Sequence, residues 1–273
     1  MAHWTEELFK ENPELFVGHF EERLAQAPRE INALLRYLKD QGFRPERVLD
    51  LNCGIGRHAI ALAHHDIQVL GTDISSHYIQ IAASKAREEK VADRAKFKVV
   101  DMRHVTSSLR SEPPFDGIVC LWTSFGFYDN KTNENILRDC LTLVKPGGFF
   151  ALDIVNKDWL LHNYSEKGFS RYKDWIVLEE RKLDLKKSRN YNTWFFLKQT
   201  EELTFKVENI IELDHHIWSL PELITLFNRT GWQFKVAYPG FATGFTQRKV
   251  TSASAEDDVS RWPMLLAISR RPD

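Results

Sequence analysis

Apolar positions change their period along the chain, and each change predicts a different kind of structure. Through residues 3–40 the pattern is helical, with a break predicted at Pro28. Beyond it Ile31, Leu34, Leu35 and Leu38 fall on one face at spacings of three and four, and Gly42 ends the run. From residue 47 short apolar runs alternate with longer amphipathic ones. Strands are predicted at 47–51, 68–73, 96–101, 115–121 and 149–155, with helices at 55–65, 75–90 and 130–144 between them. Val48-Leu49, Val69-Leu70, Val99-Val100 and Ile118-Val119-Cys120-Leu121 carry no polar alternation, which suits strands covered by helices on both faces. Such β-α alternation implies a parallel sheet with right-handed crossovers. Ser75 is placed to cap the second of these helices, and Pro146-Gly147-Gly148 predicts a tight turn into the fifth strand.

After Asn156 the pattern becomes β-rich and aromatic. Segments 175–184, 191–198 and 204–217 read as antiparallel strands joined by polar turns. A helix at 221–230 closes at Gly231, and strands at 233–238 and 264–269 flank a polar stretch without a period. The expected fold class is α/β and doubly wound, with N-terminal helices and an antiparallel β insertion. The boundaries read as a helical lid at 1–44, a core formed by 45–155 and 219–273, and an inserted substrate subdomain at 156–218.

Composition narrows the partners. A chain of 273 residues can bury a substantial core, and its 37 basic and 38 acidic residues are interspersed, with a formal net charge of -1. A nucleic-acid binder is usually more basic, so nucleic acid is not the expected partner. Cys53, Cys120 and Cys140 are too widely spaced for a zinc site or a disulfide framework. His64-His65 and His215-His216 are adjacent pairs without the i, i+4 spacing of helical ligands, and no metal is expected. The first residues lack a basic, apolar leader and no run approaches the roughly 20 apolar residues of a membrane span, so the reading is a cytoplasmic protein without a membrane partner.

The chemistry concentrates where predicted strands end. Val48-Leu49-Asp50-Leu51-Asn52-Cys53-Gly54-Ile55-Gly56-Arg57-His58-Ala59 runs from a strand through a glycine turn into a helix. Gly54 and Gly56 let backbone pass close to a ligand, and the helix start offers unpaired N–H groups. Asp73 ends the second strand, where a carboxylate can accept both hydroxyls of a ribose. Asp101 ends the third, placed to accept from an adenine amino group while Met102 packs on the ring. Any one of these carboxylates is equally at home in a turn; Asp50, Asp73 and Asp101 at three successive strand ends point to a nucleoside. Gly54-x-Gly56-x-x-Ala59 also satisfies the nicotinamide dinucleotide fingerprint. Asp50 argues against that ligand, since its charge repels pyrophosphate and suits a cation.

Residues 48–59 resemble motif I of the class I S-adenosylmethionine-dependent methyltransferases, and the Gly54-x-Gly56-Arg57-His58-Ala59 ending resembles a small-molecule-type subgroup. The resemblance extends over roughly residues 44–155 and takes in Gly71-Thr72-Asp73-Ile74-Ser75, Asp101-Met102-Arg103 and Leu143-Val144-Lys145-Pro146-Gly147-Gly148. It implies a Rossmann-like, mostly parallel seven-stranded sheet whose last strand is antiparallel. It also implies a donor site drawn from Asp50, Asn52, Gly54, Gly56, Arg57, Asp73, Ile74, Asp101, Met102, Leu121 and Trp122. In it Asp50 and Gly54 would lie beside the methionyl end, Asp73 would hold the ribose, Asp101 with Met102 would border the adenine, and Leu121 to Thr123 would line the donor. Asn52 stands where the family usually has glycine; asparagine tolerates left-handed backbone better than most residues. Trp122-Thr123-Ser124-Phe125-Gly126-Phe127-Tyr128 resembles a Ser-Phe-Gly segment of that subgroup facing the transferred methyl, with aromatic packing as the plainer alternative.

Methyl transfer from a sulfonium needs alignment and desolvation more than a strong acid or metal. The resemblance implies S-adenosylmethionine as cofactor, with S-adenosylhomocysteine as product, and the acceptor is read as a small molecule methylated at nitrogen or oxygen. Tyr128 and His216 head the candidates for a base, ahead of His215 and Tyr191, and each has an ordinary structural reading as well. Phe125, Phe127, Tyr128, Tyr191, Trp194 and Trp218 are the candidate acceptor contacts; the insertion's rings, Trp175 among them, would otherwise form core or a homodimer interface. Phe16, Phe20 and Tyr37 read as the closing face of the lid. The rival readings are an RNA or protein methyltransferase, a NAD-dependent oxidoreductase, and a non-catalytic donor-binding module.

Overall fold

The computed structural model describes residues 3–202, 204–241, 251 and 258–273. Helix α1 (Trp4–Glu6) continues as a helical stretch to Glu11, and α2 (Glu14–Glu21) and α3 (Ala27–Asp40) follow. The break lies earlier than Pro28. Asn12-Pro13 and the turn at residues 22–26 interrupt the helix, while Pro28 sits in the first turn of α3, where its missing N–H is not needed.

The core then alternates β1 (Arg47–Leu51), α4 (Arg57–Ala63), β2 (Gln68–Asp73), α5 (Ser76–Glu88), β3 (Ala95–Val99), α6 (Val105–Ser108), β4 (Phe115–Cys120), α7 (Asn130–Leu143) and β5 (Val144–Val155). Ser75 does cap α5, accepting from the Tyr78 N–H at 3.3 Å. Strand β5 begins earlier than expected: its pairing with β4 starts at Val144 and resumes at Phe149 beyond an irregularity at Pro146-Gly147-Gly148, where Gly147 is left-handed (φ 74). A short helix α8 (Lys157–His162) leads to β6 (Lys167–Tyr172), β7 (Trp175–Asp184), β8 (Arg189–Glu201) and β9 (Thr204–His216). Then come α9 (Leu220–Arg229), β10 (Gln233–Tyr238) and β11 (Met264–Arg270). Neither α8 nor β6 is evident from the sequence pattern, both being short and without a buried apolar stretch.

Seven strands form one sheet in the order β10-β11-β5-β4-β1-β2-β3, with β11 antiparallel to both neighbours and the other pairs parallel. This is the mostly parallel, Rossmann-like seven-stranded arrangement that the resemblance implies. Strand order reverses between β1 and β4, so a ligand crevice opens at the carboxyl ends of those strands. Consecutive residues serve opposite faces: Val48 packs with Ile31, Leu34 and Leu62 on one side, and Leu49 with Ile118, Leu137 and Phe150 on the other. Each such buried aliphatic side chain stabilises the fold by about 1.5–3 kcal/mol.

Strands β6 to β9 form a separate antiparallel sheet in chain order. Its inner face, with Tyr172, Val177, Phe196, Ile211 and Leu213, packs on Trp4, Leu8 and Leu15 of the N-terminal segment. Tyr172 and Tyr78 fix that segment by donating to the carbonyls of Leu15 (2.6 Å) and Pro13 (2.9 Å). Tyr37 does not join this layer; it stacks on Tyr238 at 3.9 Å on the far side of the core. Among the described residues no helix is long and apolar enough to cross a membrane.

Candidate active site

The turn after β1 carries three left-handed residues: Asn52 (φ 60), Gly54 (φ 54) and Gly56 (φ 80). A side chain at Gly56 would meet Ala82 Cβ at 2.8 Å and the Phe97 ring at 2.9 Å, so glycine is required twice over. Asn52 offsets its backbone cost with its amide, which donates to the Ser124 carbonyl at 2.8 Å and reaches Met102 Sδ at 3.0 Å. The departure from glycine thus ties the first loop of the site to those that follow β3 and β4.

Asp73 is buried at the end of β2 and accepts from the backbone N–H groups of Gly54 and Ser75, both at 2.9 Å. Burial pushes its carboxyl up to about 6, against the pull of those amides. Burial also pushes Asp50 up to about 7, with Arg57 opposing; its Oδ2 is buried with no hydrogen-bond partner among the described residues. Asp101 differs. Burial alone would raise it, but Arg103, with Nε 3.0 and 2.9 Å from the two carboxylate oxygens, holds it below the ordinary value.

After β4, Trp122 and Thr123 are both left-handed at φ 58. Two such residues in succession are costly, of order 1–3 kcal/mol each. Asp153 of β5 holds them, its carboxylate accepting from the Trp122 N–H at 3.2 Å and its carbonyl from the Thr123 N–H at 2.8 Å. The strained turn presents the Trp122 ring to the Arg57 guanidinium at 5.3 Å and to His19 at 5.2 Å.

These loops, the N-terminal helices and the inner face of the insertion enclose one cavity of about 400 Å³. Asn52, Asp73, Ile74, Asp101, Met102 and Trp122 line it from the core, and Phe127, Tyr128 and Trp194 line it from the side expected for an acceptor. Asp50, Gly54, Gly56, Arg57 and Leu121 stand behind that wall, and Phe125 is packed in the core. Tyr191, His216 and Trp218 lie elsewhere. They line a more open cavity of about 1010 Å³ near α9, where the His216 and Trp218 rings are 3.8 Å apart. Strand alternation explains the separation: His215 faces the inner cavity, so His216 must face away. This departs from the expectation for His216, Tyr191 and Trp218 at one acceptor site with Tyr128.

The inner cavity also contains residues without any signal in the strand-end motifs. Trp4, Phe9, Phe16, His19 and Phe20 arrive from the N-terminal helices, Tyr78 from α5 and Tyr172 from β6. Phe16 stacks on Trp194 (5.8 Å, 10°), and Phe20 approaches Trp122 at 5.5 Å. His19 and His215 are both held down at about 4, mainly by burial, so both are neutral at pH 7. Burial raises Tyr128, whose hydroxyl lies 3.4 Å from Thr5 Oγ1.

The crevice with its acidic strand ends is built largely from residues 48–148, and this stretch matches the family described as methyltransferase domain. The chain is 26% identical over 156 residues to glycine N-methyltransferase of Mus musculus, covering 54% of this chain and 52% of that protein. It is 27% identical over 135 residues to the ubiquinone biosynthesis O-methyltransferase of Coxiella burnetii, covering 49% and 54%. The match thus spans about half the length of these curated relatives. An S-adenosylmethionine-dependent methyltransferase from Clostridium acetobutylicum superposes with a TM-score of 0.73 over 96% of this chain and 100% of that one, at 14% identity, a likeness of fold.

Proposed function

We propose that the protein transfers the methyl group of S-adenosylmethionine to a nitrogen or oxygen of a small-molecule acceptor. The observation that carries this reading is the single cavity bordered by both Asp73 and Trp194, because a donor motif and an aromatic side-chain wall meet there without intervening chain. The residues present fit the donor. The Asp73 carboxylate accepts from the backbone N–H groups of Gly54, Ser75 and Ile74 and, with about four lone-pair positions, keeps acceptor capacity for a ribose hydroxyl. The unpartnered Asp50 Oδ2 offers negative charge behind the turn where the donor's cationic end would lie.

Bound S-adenosylmethionine would supply an electrophilic methyl on a sulfonium. The chain's part is to bind, align and dry the reactants. Trp122, Phe16, Phe127 and Trp194 exclude water and present ring faces that suit positive charge. Tyr128 and His215 are the groups placed to orient an acceptor N–H or O–H, and His215 replaces His216 in that role. Rejection of an anionic acceptor is expected, since Arg103 is already paired with Asp101 and Glu6.

Calorimetric titration with S-adenosylhomocysteine and, separately, with NAD tests the donor. Binding of the first and not the second supports the reading, and the reverse would replace it with an oxidoreductase. A labelled-methyl screen of neutral amines, phenols, RNA and protein then tests the acceptor, and selective labelling of RNA or protein would sink the small-molecule assignment. With an acceptor in hand, His215→Asn should lower turnover more than His216→Asn while both leave donor affinity within about twofold.

A further inference from the structure

The insertion sheet has a second face that the site does not use. Phe169 pairs with Leu178, Leu178 with Phe195 and Phe195 with Ile210, so one apolar row crosses all four strands. The row on one side of it is Arg171, Ile176, Leu197 and Val207; on the other it is Lys167, Glu180, Thr193 and Glu212. Alternation puts all of these opposite Val177, Phe196 and Ile211, away from the N-terminal helices. Phe169 is 75% exposed, Val207 51%, Ile210 49% and Leu178 42%. A contiguous apolar patch of this kind on a globular protein marks an interaction surface.

The charges around the patch select its occupant. At one edge, β6 flanks Phe169 with Lys167 and Arg171; at the opposite edge, β9 flanks Ile210 with Glu208 and Glu212, and all four side chains are exposed. Glu208 is paired with Lys206 of its own strand at 3.4 Å, and Lys167 lies 3.9 Å from Glu180. The charges that remain to complement a second copy are chiefly Arg171 on the β6 edge and Glu212 on the β9 edge, with Lys167 able to exchange Glu180 for a carboxylate of that copy. We propose that this face is the interface of a homodimer, two insertion sheets packing face to face about a two-fold axis parallel to their strands. That axis lays β6 of one copy over β9 of the other. Phe169 then meets Ile210 of the second copy, Leu178 meets Phe195, Ile176 meets Leu197, and Lys167 meets Glu212. An axis across the strands would instead stack Lys167 and Arg171 on themselves, a like-charge arrangement that disfavours it. Sheets packed this way lie about 10 Å apart, with strands aligned to within about 30°.

The inference stands on the sheet alone and does not depend on methyl transfer. It has a consequence for the site all the same. Val177, Trp194 and Leu213 on the same strands line the inner cavity, so a dimer braces the acceptor wall from behind.

Sedimentation velocity of the full chain across micromolar concentrations tests the proposal. The wild type is compared with Phe169→Asp, Glu212→Lys, Lys167→Glu and the double variant Lys167→Glu with Glu212→Lys. Circular dichroism and urea unfolding at low concentration verify that each variant folds, as expected for exposed positions. The wild type should be a dimer, each single variant should weaken association by about tenfold or more, and the double variant should recover most of the loss. A wild-type monomer throughout, as when another segment of the chain or a different protein covers this face, overturns the proposal. So does a dimer indifferent to all four variants, or a double variant no tighter than Glu212→Lys.

Discussion

The two sheets meet ligands in opposite ways. At the centre of the seven-stranded sheet Val48 and Leu49, Ile118 and Val119, and Phe150 and Ala151 are all fully buried, so neither face is open there and only the strand ends can be approached. What collects there is backbone amide and the carboxylates of Asp50, Asp73 and Asp101. The four-stranded sheet buries one face only. Phe196 is 0% exposed while its neighbour Phe195 is half-buried on the other side, and the cavity sees the sheet's side chains rather than its ends. Donor recognition is therefore built from local hydrogen-bonding geometry. The acceptor wall is a set of side chains that can change without altering a single strand pairing, which is how one core accommodates different acceptors.

The largest effect should come from the buried face of the smaller sheet. Phe196→Ala should cost about 3–5 kcal/mol, and Phe195→Ala less than about 1.5 kcal/mol, in urea unfolding at low protein concentration. Equal losses would mean that both faces are covered. In the larger sheet, Gly56→Val should cost about 2–4 kcal/mol in the same measurement, combining left-handed strain with the contacts to Ala82 and Phe97. Asp73→Ala should weaken S-adenosylhomocysteine binding by about 1–3 kcal/mol in calorimetry, whereas Phe195→Ala should leave it unchanged.

Donor affinity should also depend on pH. Asp73 and Asp50 are raised by burial from 3.8 to about 6 and about 7, so protonation favours the folded free protein. That contribution is fully present below 3.8 and is lost as pH rises through 6 and 7. A donor that needs both carboxylates ionised binds against this preference, so its affinity should rise across the same window, by up to about tenfold per pH unit for each proton released. A flat profile would remove Asp73 and Asp50 from donor recognition. The smallest change belongs to Asn52→Gly. Relief of left-handed strain and loss of the bond to the Ser124 carbonyl nearly cancel, leaving stability within about 1 kcal/mol of wild type, again read by urea unfolding.

What the sequence determined by itself is what a short window can encode. Apolar runs without alternation specify the central strands, covered on both faces, whereas the run at Val99-Val100 belongs to the edge strand β3, where Val99 is 51% exposed. Asp50, Asp73 and Asp101 follow these runs because a strand end and its loop are contiguous in the chain. Tertiary structure decided what depends on distant segments meeting. Thr5 reaches Tyr128 across 123 residues and Tyr172 reaches Leu15 across 157, so although Phe16 and Phe20 are legible as a closing face, Trp4, Phe9, His19, Tyr78 and Tyr172 join the wall without a local signature. His216 ranks above His215 as a base read from sequence, but nothing local separates adjacent histidines; the pairing of β9 with β8 sends His215 into the inner cavity and His216 to the outer one. The apolar row from Phe169 to Ile210 is likewise invisible along the chain, because it exists only in the register that aligns four strands.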